Sequence, residues 1–477
     1  MGWQELVTRR SAAGARTGWD AGPNPRAPAL ERDDEADVVI VGGGFAGLST
    51  AYHLQRQKPG LRIVLLEAEF VGSGASGRSG GILSSGVGTL YTIGVLKARY
   101  GAARAAAIYR ATVDAVESVR RMIREEGLDV HLEESGHFKA AWSPSHGLAL
   151  RQQAETFDAL GITGPRYFYP NALREYLGRA TPAYYGALRF PESAHLNPAR
   201  FAVQWKNLLV SRGVRIYEET PVMRLEQGRP LRVITAGGTL RAGQVVVASN
   251  SYAPQHGVQR GRIFPMHTYA LVTRPLSPGE RDRVRWGQLE PVIDTRNCFN
   301  YYRFTAEGAL FFGGGPVTYY ADPADPSSGL ADRVETWPLD RLEQGFREAF
   351  PELRDVEIAH RWGGPMGFTA DTLPIIGPVW SSPGVWFIGG WNGHGVALAG
   401  SSGEIMAGLL LGNAFGRKDL PWVRSRRLVI PSDPLRARVL HGILRGLEAI
   451  DLLTERGRAP GFSSLKPGFL RFWRGDA

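Results

Sequence analysis

Cysteine and long apolar runs are what this chain of 477 residues has least of. Its only cysteine is Cys298, which excludes an internal disulfide and any metal site built from several cysteines, so no metal is predicted. No apolar signal-like segment stands near the N-terminus, and no apolar run reaches the about 18 residues that a membrane span requires. These absences favour a cytoplasmic protein without a transmembrane segment.

Disorder and internal repeats are not indicated either. Hydrophobic residues make up 43% of the chain and charged residues 21%, which is a globular composition. A length of 477 residues exceeds one ordinary hydrophobic core, so two domains are expected.

Acidic residues are outnumbered, and the excess positive charge is concentrated near the C-terminus. The net charge is +10, of which residues 417–477 contribute +7, from thirteen Lys or Arg against six Asp or Glu. No nucleic-acid-binding motif accompanies this basic tail, so no nucleic-acid partner is predicted. A solvated surface, or peripheral contact with an anionic membrane, fits the charge better. The sequence leaves the oligomeric state open.

Glycine, by contrast, is plentiful, and its first cluster follows a short apolar run. Asp37–Val41 is typical of a buried parallel strand and leads directly into Gly42, Gly44 and Gly47, which have G-x-G-x-x-G spacing. A helix is predicted over 48–57, and a second strand over 62–66.

These residues have the roles of a dinucleotide-binding turn. Gly42 permits the tight turn, Gly44 lets the backbone approach a pyrophosphate, and Gly47 lets helix pack on strand. Glu67 ends the second strand twenty residues after Gly47, where its carboxylate can accept hydrogen bonds from a ribose. The agreement of strand, turn, helix and acid predicts a bound dinucleotide.

Two further glycine-rich stretches favour a flavin over a nicotinamide. Residues 71–81 contain five glycines and Arg78, which predicts a loop that contacts a ligand through its backbone. Residues 389–395 follow the predicted strand 385–388 and open a helix over 396–411. The helix N-terminus and His394 would stabilise negative charge on the N1–C2=O edge of a flavin that accepts a hydride.

The remaining pattern predicts an α/β protein. A Rossmann-like FAD-binding domain is expected from residues 36–130, 192–258 and 354–415. An α+β substrate domain with a mainly antiparallel sheet is expected from 131–191 and 259–353. Residues 1–35 form an irregular lead-in, and 416–477 a basic extension. Predicted helices lie at 101–127, 145–160, 197–212 and 332–350, and predicted strands at 131–142, 214–217, 244–248, 269–273, 300–304 and 309–312.

With these stretches placed, residues 30–415 resemble the D-amino-acid oxidase superfamily, in particular its glycine oxidase and gamma-glutamylputrescine oxidase branch. The resemblance rests on the motifs at 37–49, 74–81, 301–303, 311–314 and 393–395. It implies an FAD in extended form with an antiparallel sheet over its ring system. The cofactor-binding residues predicted on this basis are Gly42, Gly44, Phe45, Ala46, Gly47, Glu67, Ala68, Gly74, Ala75, Ser76, Arg78, Ser79, Gly80, Gly81, Ile82, Val222, Ala248, Asn250, Gly364, Gly390, Asn392, Gly393, His394, Gly395 and Val396.

A smaller set is predicted to face the substrate. Catalytic roles are assigned to His267, Tyr302, Arg303 and His394. Substrate contacts are assigned to Tyr269, Tyr302, Arg303 and Trp391. Arg303 is a candidate anion contact, with an inter-strand structural role as the alternative.

Two departures from the family pattern refine the expectation. Sarcosine-type oxidases attach FAD to a cysteine in the segment that corresponds to 362–368, and none lies there, so FAD is predicted to bind non-covalently. Glycine and D-amino-acid oxidases carry a carboxylate-binding arginine in the same segment, where this chain has Met366. A simple α-amino acid held by such an arginine is therefore not favoured.

The predicted reaction is oxidation of a C–N bond in a primary or secondary amine. Hydride would pass to flavin N5, the imine would hydrolyse to a carbonyl compound and an amine, and O₂ would receive the electrons as H₂O₂. Family oxidases commonly hold a lysine above the flavin, but none lies between 207 and 417, and Phe311 and Phe312 stand near the expected position. Slow reoxidation is therefore expected.

Two alternatives stay open. One is a dehydrogenase with a non-oxygen acceptor. The other is a flavoprotein recruited to a partner or membrane by a tail helix over 434–453, whose apolar residues are Leu435, Val439, Ile443, Leu447 and Ile450. Docking of that helix on its own protein is the simpler interpretation.

Overall fold

The computed structural model describes residues 17–88, 91–178, 183–284, 290–320, 336–413, 419–423 and 432–455. Within these ranges the chain forms two eight-stranded sheets, a two-stranded sheet and the helices that cover them. The predicted α/β class is therefore confirmed. None of the helices in these ranges is long and apolar enough to cross a lipid bilayer.

The first sheet has a parallel centre. Its strands are β1 (Asp34–Val41), β2 (Ile63–Leu66), β8 (Arg215–Tyr217), β9 (Val222–Glu226), β10 (Leu231–Thr235), β11 (Thr239–Val247), β17 (Ile375–Pro378) and β18 (Val385–Gly389). They run in the order β17-β18-β11-β1-β2-β8, and β10 and β9 extend from β11 as an antiparallel ribbon. The neighbours from β8 to β18 pair in parallel, as buried β-branched strands require.

The second sheet is mainly antiparallel. Its strands are β4 (His137–Ala140), β5 (Arg166–Phe168), β6 (Ala187–Phe190), β12 (Ile263–Pro275), β13 (Val292–Asp294), β14 (Asn300–Phe304), β15 (Ala309–Thr318) and β16 (Ile358–Thr369). They run in the order β16-β12-β15-β14-β13-β4-β6-β5, and among these pairs β13 and β4 are parallel. A short ribbon of β3 (Ile82–Leu83) and β7 (Ala194–His195) lies apart from both sheets.

The described residues also form eleven α-helices. They are α1 (Phe45–Gln57), α2 (Ala75–Arg78), α3 (Ile93–Tyr100), α4 (Ala102–Glu125), α5 (Pro144–Ala159), α6 (Pro170–Leu177), α7 (Pro198–Ser211), α8 (Pro278–Val284), α9 (Trp337–Ala349), α10 (Gly395–Leu411) and α11 (Leu435–Glu455).

Helices α1 and α10 pack so closely that one contact admits no side chain. A Cβ at Gly403 would lie 2.1 Å from the carbonyl carbon of Ser49. The hydroxyl of Ser49 donates to the carbonyl oxygen of Gly400 at 2.7 Å and accepts from the Gly403 amide at 3.1 Å. The two helices that follow the first and third glycine loops are thus fixed to each other.

The two faces of the second sheet have different neighbours. Its inner face, defined as the face toward the first sheet, carries one row of directly paired residues from β4 to β16. This row is Lys139, Ile293, Tyr301, Gly313, Ala270 and Trp362. The outer face packs on α9, where the rings of Phe312 and Phe346 lie 5.7 Å apart. Both faces are covered, so the strands are apolar on both sides.

Several boundaries differ from the sequence prediction. The predicted strand 131–142 is regular only over β4, and the predicted helix 332–350 is described only from α9 onward, because 321–335 lie outside the described residues. Strand β16 pairs with β12 in the second sheet, whereas the prediction assigned 354–415 as a whole to the FAD-binding domain. The difference arises because β16 is 12 residues long and belongs to the second sheet, whereas the next strand along the chain, β17, belongs to the first.

The described part of the lead-in is irregular up to β1, as predicted, and it is packed rather than loose. Lys206 and Glu218 form a buried ion pair at 3.3 Å, with 2% and 0% of their side chains exposed. The Glu218 carboxylate also accepts from the amide of Ala27 at 2.6 Å, and Leu30 is buried in the core of the first sheet. The buried pair therefore ties residues before β1 to the first sheet.

The described part of the basic tail docks on its own chain. Helix α11 packs through Ala437, Leu440 and Leu444 against Met266 and its neighbours on the inner face. The carboxylate of Asp451 accepts hydrogen bonds from the Asn297 and Cys298 amides, both at 2.9 Å. Of the predicted apolar stripe, Leu435 is 53% exposed, whereas Val439, Ile443, Leu447 and Ile450 are half-buried.

Candidate functional site

The turn after β1 leaves room only for glycine. Gly42 has a φ of +115°, and a Cβ there would lie 3.0 Å from the carbonyl of Ala248. A Cβ at Gly47 would lie 2.0 Å from the carbonyl oxygen of Gly42. Helix α1 begins at Phe45, three residues earlier than predicted, so its first amides face the turn. Such a helix start attracts the phosphates of a dinucleotide.

Glu67 lies beside this turn. Its carboxylate accepts from the Gly43 amide at 2.7 Å and from the Glu69 amide at 3.1 Å. Burial raises the pKa of Glu67 to about 6, although these hydrogen bonds favour the charged form. Ser76 completes the turn, because its hydroxyl accepts from the Phe45 amide at 3.0 Å. The first and second glycine loops are therefore joined at the helix start.

The second glycine loop contains the short helix α2, which the sequence did not predict. Arg78 donates from Nε to the carbonyl oxygen of Ser73 at 2.7 Å and from Nη1 to that of Gly363 at 3.1 Å. A Cβ at Gly364 would lie 3.0 Å from the Arg78 side chain. Arg78 thus links the loop to β16 through the backbone.

Asparagines organise the third glycine loop. Asn392 has a φ of +51°, accepts from the Thr369 amide at 2.9 Å, and donates to the carbonyl of Gly390. Asn250 accepts from the Gly390 amide at 2.9 Å. Both side chains therefore hold protein backbone in place. A cofactor would then contact the backbone of the loop that ends at α10 rather than these two side chains.

His394 stands directly before α10. Its Nδ1 is buried and has no hydrogen-bond partner among the described residues. Burial, together with the charge of Lys139, lowers the pKa of His394 to about 4, so the imidazole is neutral at physiological pH. A protonated His394 does not fit these surroundings.

The other predicted cofactor residues belong to the same loops or adjoin them. Gly80 and Gly81 show this most clearly. A Cβ at Gly80 would lie 2.7 Å from the ring of Tyr301, and one at Gly81 would lie 2.0 Å from the carbonyl oxygen of Leu196. The remaining members by position are Ala46 in α1, Ala68 after β2, Gly74, Ala75 and Ser79 in or beside α2, Ile82 in β3, Val222 in β9, Ala248 after β11, Gly393 before His394, and Gly395 and Val396 in α10.

This arrangement fits FAD. The glycine turn and the start of α1 suit a pyrophosphate, Glu67 suits a ribose, and the start of α10 with the unpartnered Nδ1 of His394 suits the polar edge of a flavin. No cluster of three or more metal-ligating side chains occurs in the part of the chain that the structure describes.

Arg303 does not have the predicted role as an anion contact. It is 2% exposed, and its guanidinium donates to the carbonyl oxygens of Gly80 at 2.7 Å, Leu196 at 2.6 Å and Phe304 at 3.0 Å. These acceptors use all three of its nitrogens. Arg303 has a structural role instead, because its side chain lies on the inner face against the glycine loop, where buried carbonyl oxygens need hydrogen-bond donors.

Tyr302 and Tyr269 face away from the glycine loops, contrary to the prediction. The hydroxyl groups of Tyr302 and Tyr184 lie 2.9 Å apart, and that of Tyr269 lies 2.6 Å from the Thr318 hydroxyl. Both tyrosines belong to the outer-face core. Successive side chains of a strand alternate between faces, so Tyr301 is the residue of this pair on the inner face.

His267 and Trp391 are packed as well. His267 is on the same side of β12 as Tyr269, with its ring 4.8 Å from the ring of Tyr320. Trp391 is 7% exposed in the first-sheet core, and a Cβ at Gly395 would lie 3.3 Å from it. Neither position matches the prediction, which gave His267 a catalytic role and Trp391 a contact with the substrate.

Sequence reasoning missed four inner-face residues: Trp19, His137, Lys139 and Tyr301. Trp19 stacks on Phe311 at 5.2 Å and donates to the carbonyl oxygen of Ser79 at 3.0 Å. The hydroxyl of Tyr301 has no hydrogen bond to a described residue, and burial raises its pKa to about 12. Tyr301 and Arg303 are two residues apart on β14 and therefore share a face, which only the structure identifies as the inner one.

The segment 362–368 lies in β16, at the edge of the second sheet. Met366 pairs with Met266 on the inner face, on the same side of β16 as Gly364 and Trp362. Cys298 lies elsewhere, beside α11, where burial raises its pKa to about 12. No thiolate is thus available for a covalent flavin bond, and non-covalent FAD stays the prediction.

Comparisons with known proteins agree with this geometry. The family model of FAD dependent oxidoreductases (DAO) matches residues 37–409. Gamma-glutamylputrescine oxidoreductase of Escherichia coli is 31% identical over 402 residues, which cover 83% of this chain and 88% of that protein. Glycine oxidase of Bacillus licheniformis is 25% identical over 389 residues, which cover 79% of this chain and 93% of that enzyme.

Solved structures share the fold. Glycine oxidase from Geobacillus kaustophilus has a TM-score of 0.65 at 21% identity, covering 83% of this chain and 100% of that one. L-proline dehydrogenase from P. horikoshii also has a TM-score of 0.65, at 20% identity. The family predicted from the glycine motifs is confirmed, with FAD as its cofactor. This chain belongs to the D-amino-acid oxidase (DAO) family of FAD-dependent oxidoreductases.

Proposed function

We propose that this protein oxidises the C–N bond of a primary or secondary amine, or of an amino acid derivative, to an imine that water then hydrolyses to a carbonyl compound and an amine. The observation that carries the proposal is the apposition of the FAD cradle to the inner face. Gly80 of the second loop touches Tyr301, and His394 of the third loop lies within the field of Lys139. The names of the two relatives above, which refer to an amine and an amino acid, support the same class of substrate.

Bound FAD supplies the acceptor for the hydride that leaves the carbon next to the nitrogen. The role of the protein is to orient the amine and to exclude water. No side-chain base is needed, because a site of low polarity disfavours the ammonium form and the free amine reacts. His394, being neutral, offers a hydrogen bond without adding a second positive charge.

We further propose O₂ as the electron acceptor, which two electrons and two protons convert to H₂O₂. A dehydrogenase with another acceptor is the alternative. Stopped-flow mixing of reduced protein with air-saturated buffer decides between them. Complete reoxidation within the turnover time supports the oxidase, whereas negligible reoxidation together with rapid transfer to a quinone overturns it. A cytoplasmic location and a small-molecule substrate stay predictions, as does recruitment through the tail.

The proposed function is tested by an amine screen without air. The protein is reconstituted with FAD, and primary amines, secondary amines and amino acids are added while the visible flavin absorbance is followed. Bleaching by at least one amine, with the matching aldehyde or ketone as product, is expected. Tyr302→Phe serves as the matched control, because its hydroxyl lies on the outer face. A protein that binds FAD but is bleached by none of these compounds contradicts the proposal.

A further inference from the structure

Lys139 is a cation of the inner face, on a strand that the expected reaction did not involve. Its neighbours in β4, Phe138 and Ala140, lie in the outer-face core, so alternation turns His137 and Lys139 inward. Lys139 pairs with Ile293, which in turn pairs with Tyr301. Lys139 is therefore the β4 end of the row of inner-face residues that crosses the second sheet from β4 to β16.

The surroundings of Lys139 provide no counter-charge. Its ammonium has neither a hydrogen bond nor an ion pair with any residue in the described ranges. Its charge acts on two histidines, because it contributes to lowering the pKa of His137 to about 3 and of His394 to about 4. Both imidazoles are thus neutral. Burial lowers the pKa of Lys139 itself, and no acidic group offsets this effect.

Lys206 shows what a buried lysine normally requires. Its ammonium lies 3.3 Å from the Glu218 carboxylate and donates to Asn24 Oδ1 at 2.6 Å and to the carbonyl oxygen of Pro25 at 2.8 Å. A dehydrated charge without such partners is costly, so it is retained where a ligand supplies them. Lys139 is half-buried rather than fully buried, and it lacks every one of these contacts.

A second observation points to an anion at the same place. Helix α10 has 17 residues and begins at Gly395, immediately after His394. Its N-terminus carries a partial positive charge, which adds to that of Lys139. Two independent sources of positive potential therefore converge around His394, with neutral groups between them.

We propose that Lys139 binds a carboxylate of the substrate, so that the substrate is an amine that carries a carboxylate on the β4 side of the site. This inference rests on the proposed amine oxidation. Met366, which stands where relatives are expected to hold a carboxylate, lies on β16, five strands and about 24 Å across the sheet from β4. The substrate carboxylate is thus held at the β4 side of the sheet, opposite to Met366. The preference for amines that carry a carboxylate over neutral amines depends on Lys139.

Binding of unreactive probes tests this without turnover. Butanoate and its neutral counterpart butanamide are titrated into FAD-loaded protein, and the perturbation of the flavin absorbance gives each dissociation constant. Lys139→Met is expected to weaken butanoate binding at least tenfold and to leave butanamide binding unchanged, since a hydrogen bond to a charged group is lost. Lys97→Met, at an exposed position of α3, is the matched control and changes neither value.

Turnover provides the second arm, with 4-aminobutanoate and 4-aminobutanamide as the paired amines. Lys139→Met is expected to lower kcat/KM for the acid at least tenfold relative to the amide, and Lys139→Arg to restore part of the preference. Equal losses of kcat/KM for the acid and the amide, or a loss confined to the rate of reoxidation, would mean that the Lys139 charge acts on the flavin rather than on the substrate. Either result would overturn the proposal. FAD content and Tm exclude misfolding, and Lys139→Gln replaces the methionine variant if that one fails to bind FAD.

The two proposals fail differently. If no amine reduces the flavin although butanoate binds through Lys139, the proposed function fails and the anion site stands. If amines reduce the flavin and Lys139→Met leaves the preference for acid over amide unchanged, the inference fails and the proposed function stands.

Discussion

Arg303 donates a hydrogen bond from Nε to the carbonyl oxygen of Gly80 at 2.7 Å, across the boundary between the two sheets. A second donation, from Nη2 to Leu196 at 2.6 Å, fixes the segment before α7. The guanidinium is buried, and burial lowers its pKa to about 9, so the carbonyl dipoles replace the water it lost. Arg303 therefore positions the cofactor loop rather than the substrate.

Replacing this arginine should damage cofactor binding before catalysis. Arg303→Met leaves three buried carbonyl groups without their donor, and we expect it to lower the free energy of unfolding by about 2–5 kcal/mol. FAD affinity should fall with it, whereas KM for the amine at saturating FAD should stay near the wild-type value. Chemical denaturation and flavin fluorescence titration measure the two effects. Arg361→Met, on a partly exposed ion pair, is the control.

Adjacent tyrosines provide a matched pair for the inner face. Tyr301→Phe removes a hydroxyl without a protein partner and should change kcat/KM, while Tm stays within about 2 °C. Tyr302→Phe removes the hydrogen bond to Tyr184 and should cost about 1 kcal/mol of stability without changing kcat/KM. Steady-state kinetics and thermal unfolding of both variants check this. The reverse pattern would show that the assigned faces are exchanged.

Glu67 should contribute to FAD affinity through its charge. Glu67→Gln keeps an acceptor for the Gly43 amide but loses the charged acceptor for a ribose hydroxyl, so the dissociation constant of FAD should rise about 10–100-fold. Equilibrium dialysis of the apoprotein measures it. Glu69→Gln, which removes a neighbouring acidic side chain, is the control and should change the dissociation constant of FAD less than threefold. Similar values for wild type and Glu67→Gln would rule out the ribose contact.

The buried imidazole of His394 predicts acid sensitivity. The folded pKa of His394, about 4, lies below its unfolded value near 6.5, so the unfolded state binds more protons in between. The free energy of unfolding should therefore fall as pH drops from 6.5 toward 4, by at most about 1.4 kcal/mol per pH unit for this group. Above pH 7 the group contributes no slope. Urea unfolding of wild type and His394→Gln isolates its share, and parallel curves would contradict it.

Local motifs made the cofactor side predictable. Gly42, Gly44 and Gly47 act through backbone geometry within a few residues, so their spacing reveals both the turn and the start of α1. Glu67 follows from the same unit, because the next strand must end beside the turn. The dinucleotide-binding turn could therefore be predicted from one stretch of chain, and the family and FAD from that stretch together with the later motifs.

The substrate side depends on contacts that sequence spacing does not encode. Because both faces of the second sheet are buried, apolar alternation cannot distinguish Tyr301 from Tyr302. Lys139 was overlooked because β4 joins the sheet by pairing with β13, about 150 residues away along the chain. Trp19 lies in an irregular segment, where no periodicity signals burial.

The central claim is that bound FAD takes two electrons from an amine held against the inner face. A single-turnover experiment without air tests it most directly: one equivalent of a carboxylate-bearing amine is mixed with the FAD-loaded protein, and flavin absorbance and carbonyl product are measured together. We predict loss of the oxidised flavin spectrum with one equivalent of carbonyl product per flavin. A flavin that stays oxidised with every amine of the panel, in protein fully loaded with FAD, would contradict the account.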